Sequence, residues 1–449
     1  MTGFSAATLH AALAALGTDP ETARYCVAFS GGADSTALLQ CLAELRERYS
    51  GLELRAVHLN HHLQPGADLW AEHCARLTRQ LAVPFLLLDA RVQVARGESL
   101  EAAAREVRYR LLAEVLAPGE FLLTAHQAED QLETVLLQLA RGAGVAGLAG
   151  MSRRAPCGRG EHLRPLLDFG REELRSYISA VGLTWVEDPS NENQRFDRNF
   201  LRYRLLPVLK ERWPSFPASV VRSADHLATA HALLDERASA DHAVAAEGER
   251  LMVPILRRLE PARVRNLLRF WIRLRDASLP SSAVLEQIEA QMLALRADRI
   301  PEVQWGDRVI RRYRDRLYLS ARFEGELAGE SSWHWRVEPQ LALPAGSGYL
   351  RAHLDVRTGA RLAGIPDQLR VRWRSGGETL RLAINRPHRE LRSLMQEWGI
   401  VPWMRGRIPL LYAGETLAAV GDLWLAAEFR AGEDQPGTVI DWLDHPAVD

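Results

Sequence analysis

The sequence predicts an α/β protein with three parts: an N-terminal doubly wound parallel sheet, a mostly helical middle domain and a small α+β C-terminal domain. Apolar strand-like runs alternate with amphipathic stretches through the first ~190 residues. Apolar residues then recur at helical spacing. Finally, short strands mix with one helix near the end of the chain. We expect the domains to span 1–214, 215–323 and 349–432.

The N-terminal region alternates between two kinds of segment. The apolar runs that predict strands are Tyr25–Phe29, Leu54–Leu59, Val83–Leu88 and Phe121–Thr124. The amphipathic stretches that predict helices are Asp34–Tyr49, Ala67–Leu81 and Ser99–Leu116. Such alternation is typical of a parallel sheet with helices on both faces. Ligands of these sheets bind beyond the carboxyl ends of the strands.

The rest of the chain has weaker patterns. Leu201–Leu295 has helical periodicity, and Gln304–Phe323 alternates as strands do, with Gly-Asp and Arg-Asp turns. Glu324–Gly348 contains Gly, Ser and Pro, which predicts a linker. Tyr349–Glu428 mixes short strands with one helix, expected at Arg389–Gly399.

Composition excludes several classes of protein. The 449 residues are 47% hydrophobic and carry a net charge of −1, so nucleic-acid binding would need a local basic patch. The four cysteines lack metal-ligand or CxxC spacing, which indicates free thiols in a reducing compartment. We find no signal peptide and no apolar run of the ~18 residues that a membrane span needs. We therefore expect a cytoplasmic protein with no membrane contact.

The segment VAFSGGADS, residues 27–35, follows the first predicted strand. Its two glycines permit close approach of a ligand to the backbone, and the amides of the following helix attract anions. It has neither the Walker lysine nor GxGxxG spacing. The alternative is an ordinary glycine turn. The candidate nucleotide-binding residues of this loop are Ser30, Gly31, Gly32, Ala33, Asp34 and Ser35.

Asp34 is the unusual residue of this loop, because a carboxylate beside phosphate is repelled unless a cation bridges the two. Carboxylate and phosphate oxygens are the ligands that Mg²⁺ prefers. The sequence therefore predicts that Asp34 binds Mg²⁺.

The segment HLNHHL, residues 58–63, follows the second predicted strand. Its polar side chains, including His58 and Asn60, could line a nucleotide. A zinc site is disfavoured because no cysteine or carboxylate accompanies the adjacent histidines. A solvated polar loop is the alternative.

The segment TAHQAEDQLET, residues 124–134, starts at the end of the fourth predicted strand and is followed by RGAGVAGLAGM. The spacing of four side chains places them on one face of a helix. They are His126, Asp130, Glu133 and Thr134. A helical face that packs on a sheet is usually apolar, so a polar face here indicates one that points into a cleft. The alternative is a solvated first helical turn, where acidic residues are favoured.

Arginines accompany these segments. Arg105 and Arg108 lie one turn apart in EAAAREVRY, and Arg198 and Arg202 lie in FDRNFLR. The planar guanidinium suits phosphate because it binds two oxygens at once. Surface charge is the alternative for each of them.

Taken in order, these segments resemble the tRNA(Ile)-lysidine synthetase family of the N-type ATP pyrophosphatases. The likeness covers SGGADS, HLNHHL, EAAAREVRY, TAHQAEDQLET with RGAGVAGLAGM, and EDPSNENQRFDRN. It returns near the end of the chain in Gly376-Gly-Glu378 and in residues 390–405. There are departures: Gln127 and Glu129 replace His and Asp in the family's HHxDD block, and His62 stands where glycine is usual.

The resemblance implies an ATP-dependent ligase. ATP adenylates the C2 carbonyl oxygen of the wobble cytidine in the CAU anticodon of an isoleucine tRNA, and free L-lysine then displaces AMP to give lysidine. It implies that Asp130 and Glu133 hold or deprotonate lysine and that Arg105 and Arg198 contact phosphates. Asp34 would position Mg²⁺, and His58, Asn60 and His126 would join the loop in binding ATP. The resemblance leaves a homodimer open.

The C-terminal region contains a local excess of positive charge. From Arg370 to Arg407 there are nine arginines and three glutamates, interleaved with three tryptophans. This pattern is typical of RNA backbone contact, although core tryptophans with surface arginines would look similar. The candidate tRNA-binding residues are Arg370, Arg372, Arg381, Arg389, Arg392 and Arg405.

Three other functions are alternatives to the hypothesis that the protein synthesises lysidine. A tRNA thiolase of the same superfamily would need reactive cysteines, and Cys26 is expected inside a strand. An amide-forming ligase such as a GMP or NAD synthetase would not need the arginine-rich end. A non-catalytic tRNA-binding protein would not need Asp34, Asp130 and Glu133.

Overall fold

The computed structural model describes residues 3–62, 64, 66–90, 100–188, 195–294, 300–323, 325, 327, 329–355, 361–432 and 435–448. The chain divides into two compact units, Met1–Leu234 and Asp235–Asp449. Ser99, Leu295 and residues 189–194 of the EDPSNENQRFDRN segment lie outside the described residues.

The first unit is built on a sheet whose described strands number six, in the order β3-β2-β1-β4-β6-β5. The strands are β1 Arg24–Ala28, β2 Glu53–Asn60, β3 Phe85–Asp89, β4 Phe121–Leu123, β5 Arg154–Cys157 and β6 Gly160–Leu163. All neighbours are parallel except β5 and β6, which form an antiparallel hairpin that the sequence did not predict. Strand order reverses between β1 and β4, where sheets of this kind open a ligand crevice.

Helices pack on both faces of this sheet, and further helices follow it along the chain. In order, the helices as far as Ala245 are α1 Ala6–Ala15, α2 Ala33–Arg48, α3 Ala67–Gln80, α4 Leu100–Val115, α5 Ala128–Ala140, α6 Val145–Leu148, α7 Arg171–Val181, α8 Asp197–Phe200, α9 Leu206–Arg212 and α10 Phe216–Ala245. A π-helical segment, Leu201–Leu205, joins α8 to α9. Leu38 and Leu42 of α2 pack in one core, and Leu112 of α4 packs in another. The predicted doubly wound sheet is therefore confirmed.

The second unit combines short helices with antiparallel sheets. Its further helices are α11 Val253–Leu256, α12 Pro261–Arg273, α13 Ser282–Met292 and α14 Leu391–Glu397. Its first strands are β7 Ala246–Glu247, β8 Arg250–Met252, β9 Glu302–Trp305, β10 Arg308–Tyr313 and β11 Arg316–Ala321. These five described strands pair in the order β7-β8-β11-β10-β9, so the helical middle region also contains a sheet.

The remaining strands belong to the C-terminal region. They are β12 Ser331–Trp333, β13 Gln340–Ala342, β14 Tyr349–Asp355, β15 Leu369–Arg372, β16 Thr379–Leu380, β17 Arg389–Glu390, β18 Leu410–Ala413, β19 Thr416–Val420, β20 Trp424–Leu425 and β21 Gly437–Leu443. They pair as β12-β15-β18-β19-β20, β13-β14-β21 and β16-β17 among the described residues. The α+β character expected here is confirmed.

The structure differs from the expectation of a linker at 324–348. Strand β12 pairs with β15 and β13 pairs with β14, so this stretch contributes to two sheets. Trp333, fully buried, anchors the segment in the C-terminal core. Glycine, serine and proline are common in the turns between short strands as well as in linkers, which is why the composition of this stretch predicted a linker.

No helix within the described residues is long and apolar enough to cross a bilayer.

Candidate active site

The glycine loop lies between β1 and α2, at the carboxyl edge of the sheet. Gly31 has φ +80°, and a Cβ at this position would lie 2.8 Å from Cys74 Sγ. Its carbonyl accepts a hydrogen bond from the Val186 amide at 2.9 Å. The Ser30 and Ser35 hydroxyls lie 3.0 Å apart and brace the turn. The loop is therefore a preformed turn in which position 31 accepts only glycine, with the amino end of α2 beyond it.

A cleft of about 740 Å³ opens beside this loop. Its polar lining includes Ser30, Gly32, Asp34, Ser35, Arg108, His126, Asp130, Arg171, Arg175 and Arg202. Burial, together with the charge of Asp130, raises the pKa of Asp34 to about 6. The structure thus brings together the glycine loop and the acidic helix that the sequence placed apart.

Two carboxylates on α5 share one arginine, and one of the two, Asp130, lines this cleft. Arg202 Nε donates to Glu133 Oε1 at 2.7 Å, and its Nη2 donates to Glu133 Oε2 at 3.0 Å and to Asp130 Oδ1 at 3.3 Å. Arg171 Nη2 lies 3.9 Å from an oxygen of each carboxylate. Glu133 is fully buried, and burial raises its pKa.

A second cleft of about 800 Å³ shares Ser30, Gly32, Arg108 and Arg202 with the first. The rest of its polar lining includes His58, Asn60, His61, His62, Arg198 and Asn199. The two clefts therefore meet at the glycine loop. One cleft lies on each side of this loop, so a nucleotide could bind in one cleft and a second substrate in the other.

The histidine segment is ordered by hydrogen bonds rather than freely solvated. His58 Nδ1 lies 2.8 Å from the Phe29 carbonyl oxygen, and burial lowers the pKa of His58. Asn60 Nδ2 donates to Asp68 Oδ1 at 2.7 Å. His62 has φ +51°, which explains why glycine suits this position, and its Nε2 lies 2.6 Å from Asp89 Oδ1.

His126 lines the first cleft but lies before helix α5, which begins at Ala128. The expectation that it shares a helical face with Asp130 is therefore wrong. Thr124 Oγ1 lies 2.8 Å from both His126 Nδ1 and His162 Nε2. Burial and the charge of Arg108 lower the pKa of His126 well below its usual value, so His126 is neutral at pH 7.

The predicted arginines occupy different positions. Arg105 is exposed, and its guanidinium lies 5.0 Å from the centre of the Tyr109 ring. Arg108, one turn further along α4, lines both clefts. Arg198 lines the second cleft and donates to Thr134 Oγ1 at 3.1 Å.

Gln127 and Glu129, the two departures in the acidic segment, have structural partners. The Gln127 side chain accepts from the Glu129 amide at 2.6 Å and caps α5. Glu129 Oε1 accepts from Lys210 Nζ at 2.9 Å, and its Oε2 accepts from the Arg171 amide at 3.0 Å. These contacts explain how both residues are used without facing the cleft.

The side chains of the first cleft suit a magnesium ion that is bound partly by protein carboxylates and partly by the phosphates of a substrate. Asp34 and Asp130 both line this cleft, and their mutual repulsion contributes to the raised pKa of Asp34. The described residues contain no cluster of three histidine, cysteine or acidic side chains placed to hold a metal. Mg²⁺ commonly binds through one or two carboxylates plus substrate phosphates. The side chains present suit that arrangement.

The candidate tRNA-binding arginines are mostly paired. Arg370 and Arg372 bind Glu330 and Glu415, Arg381 binds Glu428 at 2.6 Å, and Arg389 binds Glu397 at 2.5 Å. Arg405 Nε donates to the Ile400 carbonyl at 2.9 Å. Arg392 is exposed and has no ion-pair partner in the described part of the chain. Three of these glutamates lie outside the window in which the sequence shows its basic excess.

The three tryptophans of this region differ in burial. Trp373 and Trp403 pack against the C-terminal core, whereas Trp398 is 59% exposed. The Trp398 ring meets Trp424 edge to face, with centroids 5.6 Å apart.

Sequence patterns missed part of the site. Arg171 and Arg175 line the first cleft, but helix α7, in which they lie, has no motif of its own. Only their proximity to Asp130 and to the glycine loop reveals them.

Comparison with known families and proteins matches most of the chain. The family model for the PP-loop domain covers residues 6–209, that for the TilS substrate binding domain covers 251–318, and that for the TilS substrate C-terminal domain covers 369–442. A tRNA(Ile)-lysidine synthase from Methylococcus capsulatus is 42% identical over 93% of this chain and 96% of its own. One from Alkalilimnicola ehrlichii is 45% identical over 95% of each chain.

Solved structures are more distant. The U34-tRNA thiolase NcsA from Methanococcus maripaludis is 15% identical, with a TM-score of 0.43 over 49% of this chain and 77% of that one. The full-length relatives and the three family models decide the assignment: the chain belongs to the tRNA(Ile)-lysidine synthase family.

Proposed function

We propose that the protein is a tRNA(Ile)-lysidine synthase, an ATP-dependent ligase that joins free L-lysine to C2 of the wobble cytidine of an isoleucine tRNA with a CAU anticodon. One observation carries the proposal. The glycine loop, Asp34 and Asp130 line one cleft, and Arg202, which lines this cleft and the neighbouring one, binds both Asp130 and the buried Glu133. Such a site can hold a triphosphate and an amine side by side.

In the first step the C2 carbonyl oxygen attacks the α-phosphorus of ATP, and the bond to the β-phosphate breaks. The loop amides and the amino end of α2 stabilise the departing pyrophosphate. Arg108 lines both clefts, so we assign it a phosphate contact in addition to those predicted for Arg105 and Arg198. Bound Mg²⁺ would neutralise phosphate charge, held by Asp34 with Asp130 beside it.

In the second step the lysine amine attacks C2 and AMP leaves. The amine must lose a proton, although its ordinary pKa is near ~10.4. We assign this role to Glu133, whose pKa burial raises above its usual value; Arg202, which binds both of its oxygens, would have to release it first. Asp130 supplies a second carboxylate that orients the ammonium form before transfer.

Neutral histidines complete the nucleotide side of the site. His58 and His126 both have lowered pKa values because they are buried, so they bind without adding charge. With Asn60 and the loop, we place them around the adenylate. The contacts that hold the ring of each histidine fix which nitrogen faces the ligand.

A thiolase of the same superfamily is the competing enzyme. All four cysteines are buried and free, and burial raises the pKa of Cys26 and of Cys74 to about 12. Thiols held in this protonated form are poor nucleophiles. This favours transfer of an amine over transfer of sulfur.

We further propose that the C-terminal region binds the tRNA outside the anticodon, with Arg392 as its best-placed cation. Arg370, Arg372, Arg381 and Arg389 would have to exchange their glutamate partners for phosphate. We place the enzyme in the cytoplasm, where its tRNA substrate is found. A homodimer stays a prediction.

The experiment is to incubate the protein with ATP, labelled lysine and a tRNA mixture and to look for lysine in RNA. We expect incorporation that depends on ATP and releases AMP. Glu133→Gln should abolish lysine transfer, and ATP–pyrophosphate exchange in the presence of tRNA separates the two steps. Sulfur incorporation instead of lysine would refute the proposal, and undiminished lysine transfer by Glu133→Gln would remove its assigned role.

A further inference from the structure

Exposed aromatic side chains are concentrated in one segment of the first unit. Five aromatic side chains are exposed within the part of the chain that the structure describes, and four of them lie in 196–213. Phe196, Phe200 and Tyr203 are 47%, 53% and 43% exposed. Phe200 and Tyr203 lie three positions apart in the helical run formed by α8 and the π-helical segment, and Phe196 is the extended residue immediately before α8. We call these three rings the aromatic face.

The aromatic face borders the active site. Phe196 lines the cleft that contains His58 and Asn60, and Tyr203 lines the cleft that contains Asp34 and Asp130. The face is therefore continuous with the mouth of both clefts.

Residues between the three rings turn toward the protein instead. Arg198 binds Thr134, Arg202 binds Glu133, and Asn199 is buried. This packing fixes the helical run and leaves the rings outward. The face is thus held in place before any ligand arrives, so a partner would not have to order it.

Charge around the face favours a polyanion. Residues 195–213 contain six basic and two acidic side chains, and two of the basic ones, Arg202 and Lys210, pair with Glu133 and Glu129 of α5. Exposed aromatic rings among basic side chains are typical of surfaces that bind unpaired nucleotides. A partner that bound the three rings only through an apolar surface would not need basic side chains beside them.

We propose that the aromatic face stacks the unpaired bases that flank the target cytidine in the RNA loop. The inference rests on the proposed function. A base that enters the cleft leaves the stack of its loop, so its neighbours each lose a stacking partner. Rings at the mouth of the cleft replace those partners and hold the loop in register.

The test is a triple variant, Phe196→Leu, Phe200→Leu and Tyr203→Leu, which keeps apolar side chains and removes the rings. The probe is a synthetic RNA stem–loop with a CAU anticodon, and its affinity is measured by fluorescence anisotropy at several salt concentrations. Base stacking on a ring is worth roughly 5- to 150-fold in affinity. We expect binding to weaken about ten-fold or more, with an unchanged salt dependence, because no charge is removed.

Four controls make the result of this test interpretable. Leu139→Ala truncates an exposed side chain of α5 and should bind like the wild type. Phe200→Leu, at the ring that lines neither cleft, should leave ATP affinity unchanged, and circular dichroism should show the native fold for the triple variant. Phe200→Leu alone, at the most exposed of the three rings, should produce a smaller loss in the same direction.

A spectroscopic signal tests stacking directly. With 2-aminopurine in the loop beside the cytidine, wild-type protein should change its fluorescence on binding and the triple variant should not. Equal affinity and equal fluorescence for the two proteins would overturn the inference. A triple variant that changes oligomeric state in light scattering but binds RNA normally would assign the face to a second copy of the chain, and would also overturn it.

Lysine incorporation separates this inference from the function on which it depends. If wild-type protein transfers lysine to tRNA and the triple variant does so with an unchanged KM for tRNA, only the aromatic face fails. If wild-type protein transfers no lysine, the proposed function fails first.

Discussion

Arg202 and Glu133 form a two-pronged ion pair inside the first unit, with N–O distances of 2.7 and 3.0 Å. Glu133 is fully buried, and the same guanidinium also reaches Asp130. Arg202 lies in a π-helical segment, a feature that often marks functional sites. The pair therefore connects the segment that carries the aromatic face to the carboxylates assigned to lysine.

Replacing Arg202 should be costly to stability. Arg202→Leu leaves a buried carboxylate without its main partner, and breaking such a pair typically costs about 3 to 5 kcal/mol. Urea unfolding measures the loss. The double variant Arg202→Leu with Glu133→Leu should recover much of it, because no charge then stays buried unpaired. A double variant as unstable as the single one would contradict this account.

Gly31→Ala should destabilise the loop for two reasons. A positive φ costs an L-residue about 1 to 2 kcal/mol, and the new Cβ would lie 2.8 Å from Cys74 Sγ. We expect a total of about 2 to 4 kcal/mol by thermal or urea unfolding, with loss of ATP binding. Gly32→Ala is the matched control, since Gly32 has φ −74° and its nearest neighbouring atom would be 3.6 Å away. Equal stability of the two variants would refute the steric argument.

Asp34→Asn should make the protein more stable and inactive. The folded-state pKa of about 6 exceeds the ordinary 3.8. Between these values the folded protein holds a proton that the unfolded chain has lost, so stability falls as pH rises through this window. Removing the carboxylate should stabilise the protein by about 2 kcal/mol at pH 7.5, after allowance for partial solvent exposure.

Urea unfolding without divalent cations, at pH 4 and at pH 7.5, measures this effect. The advantage of Asp34→Asn should vanish near pH 4, where Asp34 is protonated in the folded wild type. A variant less stable than the wild type at pH 7.5 would show that the carboxylate is compensated in the fold.

The C-terminal arginines should differ in their contribution to tRNA binding. Arg392→Gln should reduce the slope of log affinity against log salt by about 1, because it removes one unpaired cation. The double variant Arg370→Gln with Glu415→Gln keeps the net charge and should leave affinity nearly unchanged. Filter binding with full-length tRNA measures both. If the Arg370 and Glu415 double variant lost affinity and Arg392→Gln did not, the ion pair of Arg370 would have to open when tRNA binds.

Local patterns predicted the elements of the first unit well. Strands at Tyr25–Phe29 and Leu54–Leu59 and the helix at Ala67–Leu81 were found within one or two residues of the predicted bounds. Alternating apolar periods depend on near neighbours in the chain, which is why they can be read without a structure. The β5–β6 hairpin and strands β12 and β13 were not predicted, because each is short and forms only by pairing with a neighbouring strand.

The sequence by itself determined the sheet, the glycine loop and the family resemblance, since all three depend on residue order. Only the tertiary structure decided which charges meet. Glu330, Glu415 and Glu428 pair with arginines 40 or more positions away in the chain, and Arg202 reaches Glu133 across 69. Coulomb attraction depends on distance in space, and the fold alone sets that distance.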